Sequence, residues 1–478
     1  MSTRKGMFAD IPVEVGPQFE GQRVRKEQMY VELGGPKVDC KCELVKVKDQ
    51  SEVVDGEIKV IGPDLKDLKE NESYPFAIYI EASGGKIEKD LEGVLERRIH
   101  QYSNYIEGLM HLNQRYDIWI RTSKASFKKG MDSFTYWGKI LHRLYKAELP
   151  IVEKMRVTFI TDPQKAKELY AEALSIYEAR DARARGMRDE DVDIFYSCVL
   201  CQSFAPTHVC IITPNRYANC GAISWFDARA SANVDPKGSI IPTPKGECLD
   251  PTRGEYTGTN EMVSKRSQGV IQHVSLYSAF GTPHTSCGCF EATAFYVPEV
   301  DGLGIVHRSF KDKTVIGLPF STIADSTAGG RQVDGFHGLS IEYMRSKKFL
   351  QADGGWNIVV WLPVELKERV KDAIPKELFE LIATEKDVST PDELRKFLEE
   401  RHHPIVERWK KVVAVEQPPQ AIPQGEEAGP QPTPLEAAPE IYQASAFQTL
   451  GGIKVSMEGV KVVVKKAVLR KLEEERTR

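Results

Sequence analysis

The 478-residue sequence lacks several features, and each absence excludes a class of protein. No apolar run approaches the ~18–20 residues that a membrane-spanning helix needs. The stretch from Met1 to Val15 lacks the apolar core of a signal peptide. The formal net charge of −4 is not the basic excess typical of nucleic-acid-binding proteins. We therefore expect a cytoplasmic protein that acts neither in a membrane nor on nucleic acid.

Cysteine is also scarce, and its distribution argues against a disulfide framework. The chain has nine cysteines, an odd number that is small for this length. Seven of the nine fall between Cys198 and Cys289, whereas a disulfide framework would be spread more evenly. Clustered cysteines in a cytoplasmic protein indicate metal ligands or catalytic thiols.

Alternating strand and helix patterns predict a mixed fold, α/β with α+β parts, in which mixed sheets are flanked by helices. In the first half we predict strands at 44–47, 57–61, 76–80 and 155–160. Helical spacing covers 91–112, and Thr161-Asp162-Pro163 marks the start of a helix that runs to about residue 185. In the second half we predict strands at 195–200, 209–213 and 356–362, a helix at 259–277 capped by Thr259, and further helices from 363 to 415.

Length and composition predict a multidomain chain. We expect an α/β domain at 1–160 and a metal-cluster catalytic domain at 161–415. Residues 416–440 should form an extended linker, because the stretch 418–439 contains seven prolines. The tail, 441–478, should contain a strand or hairpin at 453–464 and a charged helix end at 470–478. We interpret it as a tethered docking segment, with a disordered tail as the alternative.

A first group of four cysteines has spacing typical of a metal site. Cys198, Cys201, Cys210 and Cys220 lie within 23 residues, and Pro206, Pro214 and Gly221 supply turns between them. Four thiolates suit either a zinc ion or a [4Fe–4S] cluster, and the spacing alone does not decide between the two.

A second group, Cys287-Gly288-Cys289, favours nickel. Two thiolates and two deprotonated backbone nitrogens can form a planar set of four ligands, and a square plane suits Ni(II) rather than tetrahedral zinc. Glycine between the cysteines lets the backbone turn tightly. An isolated CxC pattern is weak, since residues i and i+2 share one face of a strand. We therefore interpret Cys40-x-Cys42 as structural, and Cys248 as uninvolved.

The combined pattern resembles a known family. The segment CVLCQSFAPTHVCIITPNRYANCGA, followed by a CGC that begins 67 residues after Cys220, closely resembles acetyl-CoA synthase, the β subunit of the archaeal acetyl-CoA decarbonylase/synthase complex. The likeness covers Met1 to Val415. It implies an acyltransferase that assembles or cleaves acetyl-CoA from CO, a corrinoid-borne methyl group and coenzyme A. The implied cofactor is a [4Fe–4S] cluster bridged to two nickel ions. The implied partners are CO dehydrogenase subunits and a corrinoid iron–sulfur methyl-carrier protein.

The resemblance also implies roles for individual residues. Cys198, Cys201, Cys210 and Cys220 would hold the iron cluster, and Cys201 would bridge it to the proximal nickel. Cys287 and Cys289 would bridge the two nickels, with the backbone nitrogens of Gly288 and Cys289 completing the plane of the distal nickel. Phe204 would limit access to the proximal nickel.

Other groups near the cysteines have supporting interpretations. His208 and His284 are interpreted as hydrogen-bonding groups rather than ligands. The loop ADSTAGGRQVDG, with Asp325, Gly329, Gly330 and Arg331, should line the site. An iron–sulfur protein without nickel, for electron transfer or structure, and a zinc-stabilised scaffold subunit remain alternatives.

The stretch 97–146 is a candidate coenzyme A site. It has ten Lys/Arg, three Asp/Glu and interleaved aromatic residues. Arginine forks suit phosphates, and aromatic faces can stack on adenine. No Walker or Rossmann glycine pattern accompanies it. Single-stranded nucleic acid, or a solvated face that docks a partner subunit, are the alternatives. The candidate side chains are Arg115, Trp119, Arg121, Lys124, Lys128 and Lys129.

Overall fold

The computed structural model describes residues 4–409 and two short strands at 453–456 and 461–464. Contacts divide the chain into two compact units, Met1–Val413 and Ala414–Arg478. The predicted mixed α/β class is confirmed. The predicted linker and the charged helix end at 470–478 lie outside the described residues, and the domain boundary at residue 160 stays a prediction. None of the described helices combines the length and apolar character that crossing a bilayer requires.

Two four-stranded mixed sheets form the first part of the larger unit. The strands are β1 (Met29–Gly34), β2 (Lys41–Val47), β3 (Ile58–Ile61), β4 (Ser73–Tyr74), β5 (Phe76–Ser83), β6 (Leu109–Leu112), β7 (Trp119–Ser123) and β8 (Lys154–Ile160). The helices are α1 (Arg4–Met7), α2 (Glu92–Ser103), α3 (Lys124–Lys128), α4 (Phe134–Glu148) and α5 (Pro163–Arg185). The strand orders are β2-β5-β8-β3 and β4-β1-β7-β6.

The second part of this unit contains smaller sheets, with orders β10-β9-β11, β12-β13 and β16-β14-β15-β17. Its strands are β9 (Ile194–Cys198), β10 (Cys210–Ile212), β11 (Ile240–Pro244), β12 (Cys248–Asp250), β13 (Glu255–Tyr256), β14 (Ala292–Val297), β15 (Gly302–His307), β16 (His337–Leu339) and β17 (Val359–Trp361). Its helices are α6 (Trp225–Val234), α7 (Thr257–Arg266), α8 (Phe320–Thr327), α9 (Ile341–Met344), α10 (Val364–Arg369), α11 (Lys376–Phe379) and α12 (Pro391–Glu400).

Most predicted elements are confirmed. The helix signal Thr161-Asp162-Pro163 opens α5, where the Asp162 side chain accepts a hydrogen bond from the Lys165 N–H at 2.8 Å. In the smaller unit, β18 (Ile453–Ser456) pairs antiparallel with β19 (Lys461–Val464), so the predicted hairpin is confirmed.

Three predicted elements have the wrong bounds. The helical stretch 91–112 ends at Ser103 and is followed by β6, because Gly108 at φ +74° turns the chain into the sheet. The helix predicted at 259–277 is capped by Tyr256 and ends at Arg266, and Gln268 and Gly269 then take positive φ. The strand predicted at 356–362 starts as a 3₁₀ turn and is extended only over β17.

Helix α2 is the element that connects the two parts of the larger unit. All twelve of its residues are buried, including polar ones. It packs against β2 and α4 of the first part and against α6 of the second. A helix buried on every side has no solvated face, so its polar side chains need partners inside the protein.

An aromatic cluster fixes α4 on the sheet below it. The Phe159 ring of β8 lies 5.3 Å from the Phe134 ring and 5.2 Å from the Trp137 ring, centroid to centroid.

We expect Phe159→Ala to lower the free energy of unfolding by about 3–5 kcal/mol, because it opens a cavity among large rings. Urea denaturation followed by tryptophan fluorescence measures this. The control Val54→Ala, at a side chain 59% exposed, should change the value by about 0.5 kcal/mol or less.

Candidate metal centre

Strand pairing brings the first cysteine group together. Cys198 ends β9 and Cys210 begins β10, and the two are direct partners in the antiparallel ladder. Cys201 lies in the loop between these strands, and Cys220 lies in the loop that follows β10. All four are buried. The spacing therefore places four thiols on one short β-hairpin and the loop that follows it.

Cys201 joins the first group to the second. The sulfur atoms of Cys201, Cys287 and Cys289 all lie within 4.8 Å of one another. Among the described residues, no other three Cys, His, Asp or Glu side chains come this close. Cys198, Cys210 and Cys220 do not belong to this tight group.

The Cys287-Gly288-Cys289 loop has a backbone that favours glycine at its centre. Gly288 has φ +129°, and a Cβ there would meet Ala328 at 3.4 Å and the Phe204 ring at 4.0 Å. The Cys289 N–H donates a hydrogen bond to the Cys287 sulfur at 3.2 Å. Phe204 therefore lies beside the loop, while its role in limiting access stays a prediction.

Neighbouring segments hold this loop in place. Half-buried Arg308 donates a hydrogen bond to the Gly288 carbonyl. The Gly329 N–H donates to the Cys287 carbonyl at 3.2 Å, and the Gly330 N–H donates to the Ser286 carbonyl at 2.8 Å. The loop ADSTAGGRQVDG thus packs directly on the CGC segment, as predicted from the sequence.

Arg97 on α2 reaches the three converging thiols, a contact that the sequence analysis missed. Its Nη2 lies 3.3 Å from the Cys201 sulfur and 4.0 Å from the Cys289 sulfur. Burial lowers the pKa of Arg97, but the negative charges of Cys201, Cys289 and Cys220 outweigh it and raise that pKa above its usual value. The sequence signal that could have predicted this contact is a polar stripe on one helix face, formed by Arg97, His100 and Asn104.

A chain of buried side chains extends from Cys289 into the first part of the unit. His100 Nε2 lies 3.7 Å from the Cys289 sulfur, and His100 Nδ1 lies 3.0 Å from His111 Nδ1. His111 Nε2 lies 2.9 Å from a Glu43 oxygen. Cys289, His100, His111 and Glu43 are therefore joined in one continuous chain of polar contacts.

Burial gives most of these thiols a raised pKa. The pKa of the Cys198 and Cys210 thiols is raised by burial, and burial raises the pKa of Cys220 to about 12. Such thiols ionise near neutral pH when a metal cation replaces the proton. Hydrogen bonds from Cys201 and Cys287 instead lower the pKa of Cys289.

The two histidines near the cysteines make hydrogen bonds. His284 Nε2 accepts from the Ile211 N–H at 2.9 Å, and its Nδ1 donates to the Thr285 carbonyl at 2.7 Å. His208 Nδ1 lies 3.0 Å from the Thr285 hydroxyl. Burial lowers the pKa of His208 to about 4, which keeps the ring neutral. Neither histidine belongs to the group of converging metal-ligating atoms, in agreement with the predicted hydrogen-bonding role.

A cavity of about 320 Å³ opens onto the CGC segment. Its size falls in the range of small-molecule sites. Its lining includes three arginines, Arg23, Arg308 and Arg331, and two carboxylates, Glu20 and Asp325. It also includes His100, Phe204, Cys287 and Cys289.

The six candidate coenzyme A side chains lie elsewhere, and none of them lines this cavity. Arg115 is buried and donates to Asp181 at 3.1 Å and to the Gly221 carbonyl at 3.0 Å. The side chains of Trp119 and Arg121 both donate to Glu32, at 2.8 and 2.9 Å. Lys124 pairs with Glu70, and Lys129 pairs with Glu107. Their role toward coenzyme A stays a prediction.

Comparisons with known proteins agree with this geometry. A family profile described as CO dehydrogenase/acetyl-CoA synthase complex beta subunit matches residues 11–166. A second profile, which describes the C-terminal part of the ACS/CODH beta subunit, matches residues 177–410. Helix α2 belongs to the first match and all six cysteines of the two groups belong to the second.

Proteins of methanogens are similar to the chain over most of its length. Acetyl-CoA decarbonylase/synthase complex subunit beta 2 of Methanocaldococcus jannaschii is 58% identical, over 84% of this chain and 85% of the relative. The subunit beta of Methanothermobacter thermautotrophicus is 49% identical, over 97% of this chain and 100% of the relative. The subunit beta of Methanopyrus kandleri is 54% identical, over 84% and 86%. The chain belongs to the β-subunit family of the acetyl-CoA decarbonylase/synthase complex.

Proposed function

We propose that this chain is the catalytic subunit that assembles or cleaves acetyl-CoA, an acyltransferase. Its substrates are CO, a corrinoid-borne methyl group and coenzyme A, and its cofactor is a [4Fe–4S] cluster bridged to two nickel ions. The observation that carries the proposal is the convergence of Cys201, Cys287 and Cys289 within 4.8 Å beside a solvent-accessible cavity. Its partners are CO dehydrogenase subunits and a corrinoid iron–sulfur methyl carrier, and its location is cytoplasmic.

The donor set fits this cofactor. Cys198, Cys201, Cys210 and Cys220 would hold the iron cluster. Cys201, Cys287 and Cys289 would hold the proximal nickel, while Cys287, Cys289 and the Gly288 and Cys289 backbone nitrogens would hold the distal one. The Arg97 guanidinium supports the fit, because it donates to the sulfurs of Cys201 and Cys289. Such a buried cation needs anionic neighbours.

When bound, the nickel pair would supply an open coordination position at which a methyl group and CO join and the acetyl group passes to the thiol of coenzyme A. The protein's own residues hold the sulfurs in place and control access to them. Arg97 holds the Cys201 thiolate, the sulfur shared by both halves of the centre. Phe204 narrows the approach to the CGC segment. The segment from Asp325 to Arg331 packs around the CGC segment and limits the entry of water.

We further propose that coenzyme A enters by this cavity. Arg23 and Arg331 lie on its lining with exposed side chains, so they can meet phosphates while the thiol end reaches the cysteines. Arg23 is the better probe, because the Arg331 side chain also donates to the Ala328 carbonyl at 3.1 Å.

The metal assignment predicts that two cysteine variants lose different metals. Cys287→Ser should lose nickel and keep most of the iron, because Cys287 contributes to the nickel pair alone. Cys210→Ser should lose iron, because Cys210 contributes to the cluster alone. Metal analysis of anaerobically purified protein measures both, with exposed Cys248→Ser on β12 as the unchanged control. Loss of iron and nickel in equal proportion from Cys287→Ser, or zinc as the main metal, would contradict the assignment.

Acetyl exchange between acetyl-CoA and a methyl donor tests the activity itself. The wild-type protein with iron and nickel should catalyse it, and Cys287→Ser should lose it. Protein with a full iron and nickel content but no exchange would defeat the proposed activity.

The cavity route predicts which basic residue coenzyme A needs. Arg23→Gln should raise the KM for coenzyme A by about tenfold in this exchange with kcat little changed, because a charge-assisted phosphate contact contributes about 1.5–3 kcal/mol. Lys124→Gln, from the basic stretch, is the matched comparison and should leave the KM unchanged. The reverse pattern would place coenzyme A on the stretch 97–146 instead.

A further inference from the structure

Arg216 is a buried cation that has no carboxylate partner among the described residues. Its side chain is 1% exposed. Nη2 donates to the Asn219 side-chain oxygen at 3.2 Å, Nη1 lies 3.4 Å from the Leu276 carbonyl, and the guanidinium stacks 4.5 Å from the Tyr343 ring centre. The Nε atom has no hydrogen-bond partner. Within the described part of the chain, no ion pair joins Arg216 to an acidic side chain.

Burying a guanidinium without an anionic partner is destabilising, because the charge loses its hydration without compensation. Arg115, which is buried to a similar degree, pairs with the Asp181 carboxylate at 3.1 Å. Arg97 has the sulfurs of Cys201 and Cys289. Arg216 differs from both in that its direct contacts are neutral.

Asn219 connects Arg216 to the iron-binding group. While its side-chain oxygen accepts from Arg216, its backbone N–H donates to the Cys210 sulfur at 3.4 Å. Its side-chain nitrogen donates to the Thr285 carbonyl at 3.1 Å, which fixes the amide between the two cysteine groups.

Through Asn219, Arg216 is linked to the Cys210 sulfur of the four-cysteine group, which becomes anionic once metal replaces the thiol protons.

We infer that Arg216 is the counter-cation of the four-cysteine iron site and raises the electron affinity of the cluster bound there. This inference rests on the proposed function. A [4Fe–4S] cluster with four thiolates is anionic, and taking up one electron from a reductant makes it more so. A fixed positive charge nearby stabilises the reduced form more than the oxidised form. Arg216 acts through Asn219 and Cys210, so it is a positioning and tuning residue rather than a catalytic one.

Redox titration of the iron cluster in the purified full-length protein tests the inference. With dithionite and mediators, and electron paramagnetic resonance as the readout, Arg216→Gln should lower the ratio of reduced to oxidised cluster at a given potential by about tenfold. For a one-electron couple this corresponds to a midpoint about 59 mV lower. Arg216→Lys keeps the charge and should stay within about threefold of the wild-type ratio.

Two results would overturn the inference. One is an iron-loaded Arg216→Gln protein that titrates like the wild type, and the other is an equal shift in Arg216→Lys. If Arg216→Gln does not fold or retain iron, Asn219→Asp replaces it. That variant adds a negative charge beside Cys210 and should also lower the ratio about tenfold, so an unchanged ratio again overturns the inference.

The results expected if the proposed function itself is wrong differ from those two. A wild-type protein that contains no iron, or zinc alone, would remove the proposed function, and the inference with it. A wild-type protein with a redox-active iron cluster, and variants that do not shift it, would remove only the role of Arg216.

Discussion

The attraction between buried thiolates and cations is the interaction on which the rest of this structure depends. Cys201, Cys287 and Cys289 converge where water is largely excluded, and Arg97 lies against them. Burial raises the pKa of the neighbouring Cys198 and Cys220 thiols, which favours their protonated forms. Positive charge from metal and from arginine is what makes such a donor set stable.

This requirement explains why the centre needs both parts of the larger unit. The second part carries the cysteines on β9, β10 and the segment before β14. The first part carries α2, a helix buried over its full length, and α2 brings Arg97 and His100 to the sulfurs. The cavity is likewise lined by residues from both parts, so it lies where the two meet.

Much of the metal site could be predicted from the sequence because its signal is local. Cysteine spacing identified the two groups, and the mixed α/β class followed from short apolar runs. Contacts between residues that are far apart in the sequence leave no local pattern from which they can be predicted. Arg97 is 104 residues from Cys201, and only their approach in space reveals the contact. The predicted helix 91–112 concealed the turn at Gly108, because a single glycine decides where α2 ends.

In the basic stretch 97–146, the local sequence pattern misled the prediction instead of supporting it. Its positive charge was counted without the acidic partners that the fold supplies from elsewhere, among them Glu32, Glu70 and Asp181. Local charge therefore overstated the free positive surface, while Arg23 and Arg331, which are isolated in the sequence, meet at the cavity.

The most direct test of the account is the metal content of the wild-type protein purified without oxygen. The convergence of Cys201, Cys287 and Cys289, together with the four-cysteine group and the Cys-Gly-Cys segment, predicts iron with about half as much nickel, since a [4Fe–4S] cluster would accompany two nickel ions. Iron without nickel would reduce the site to an iron–sulfur cluster, and zinc alone would make it a structural site. Either result would contradict the account.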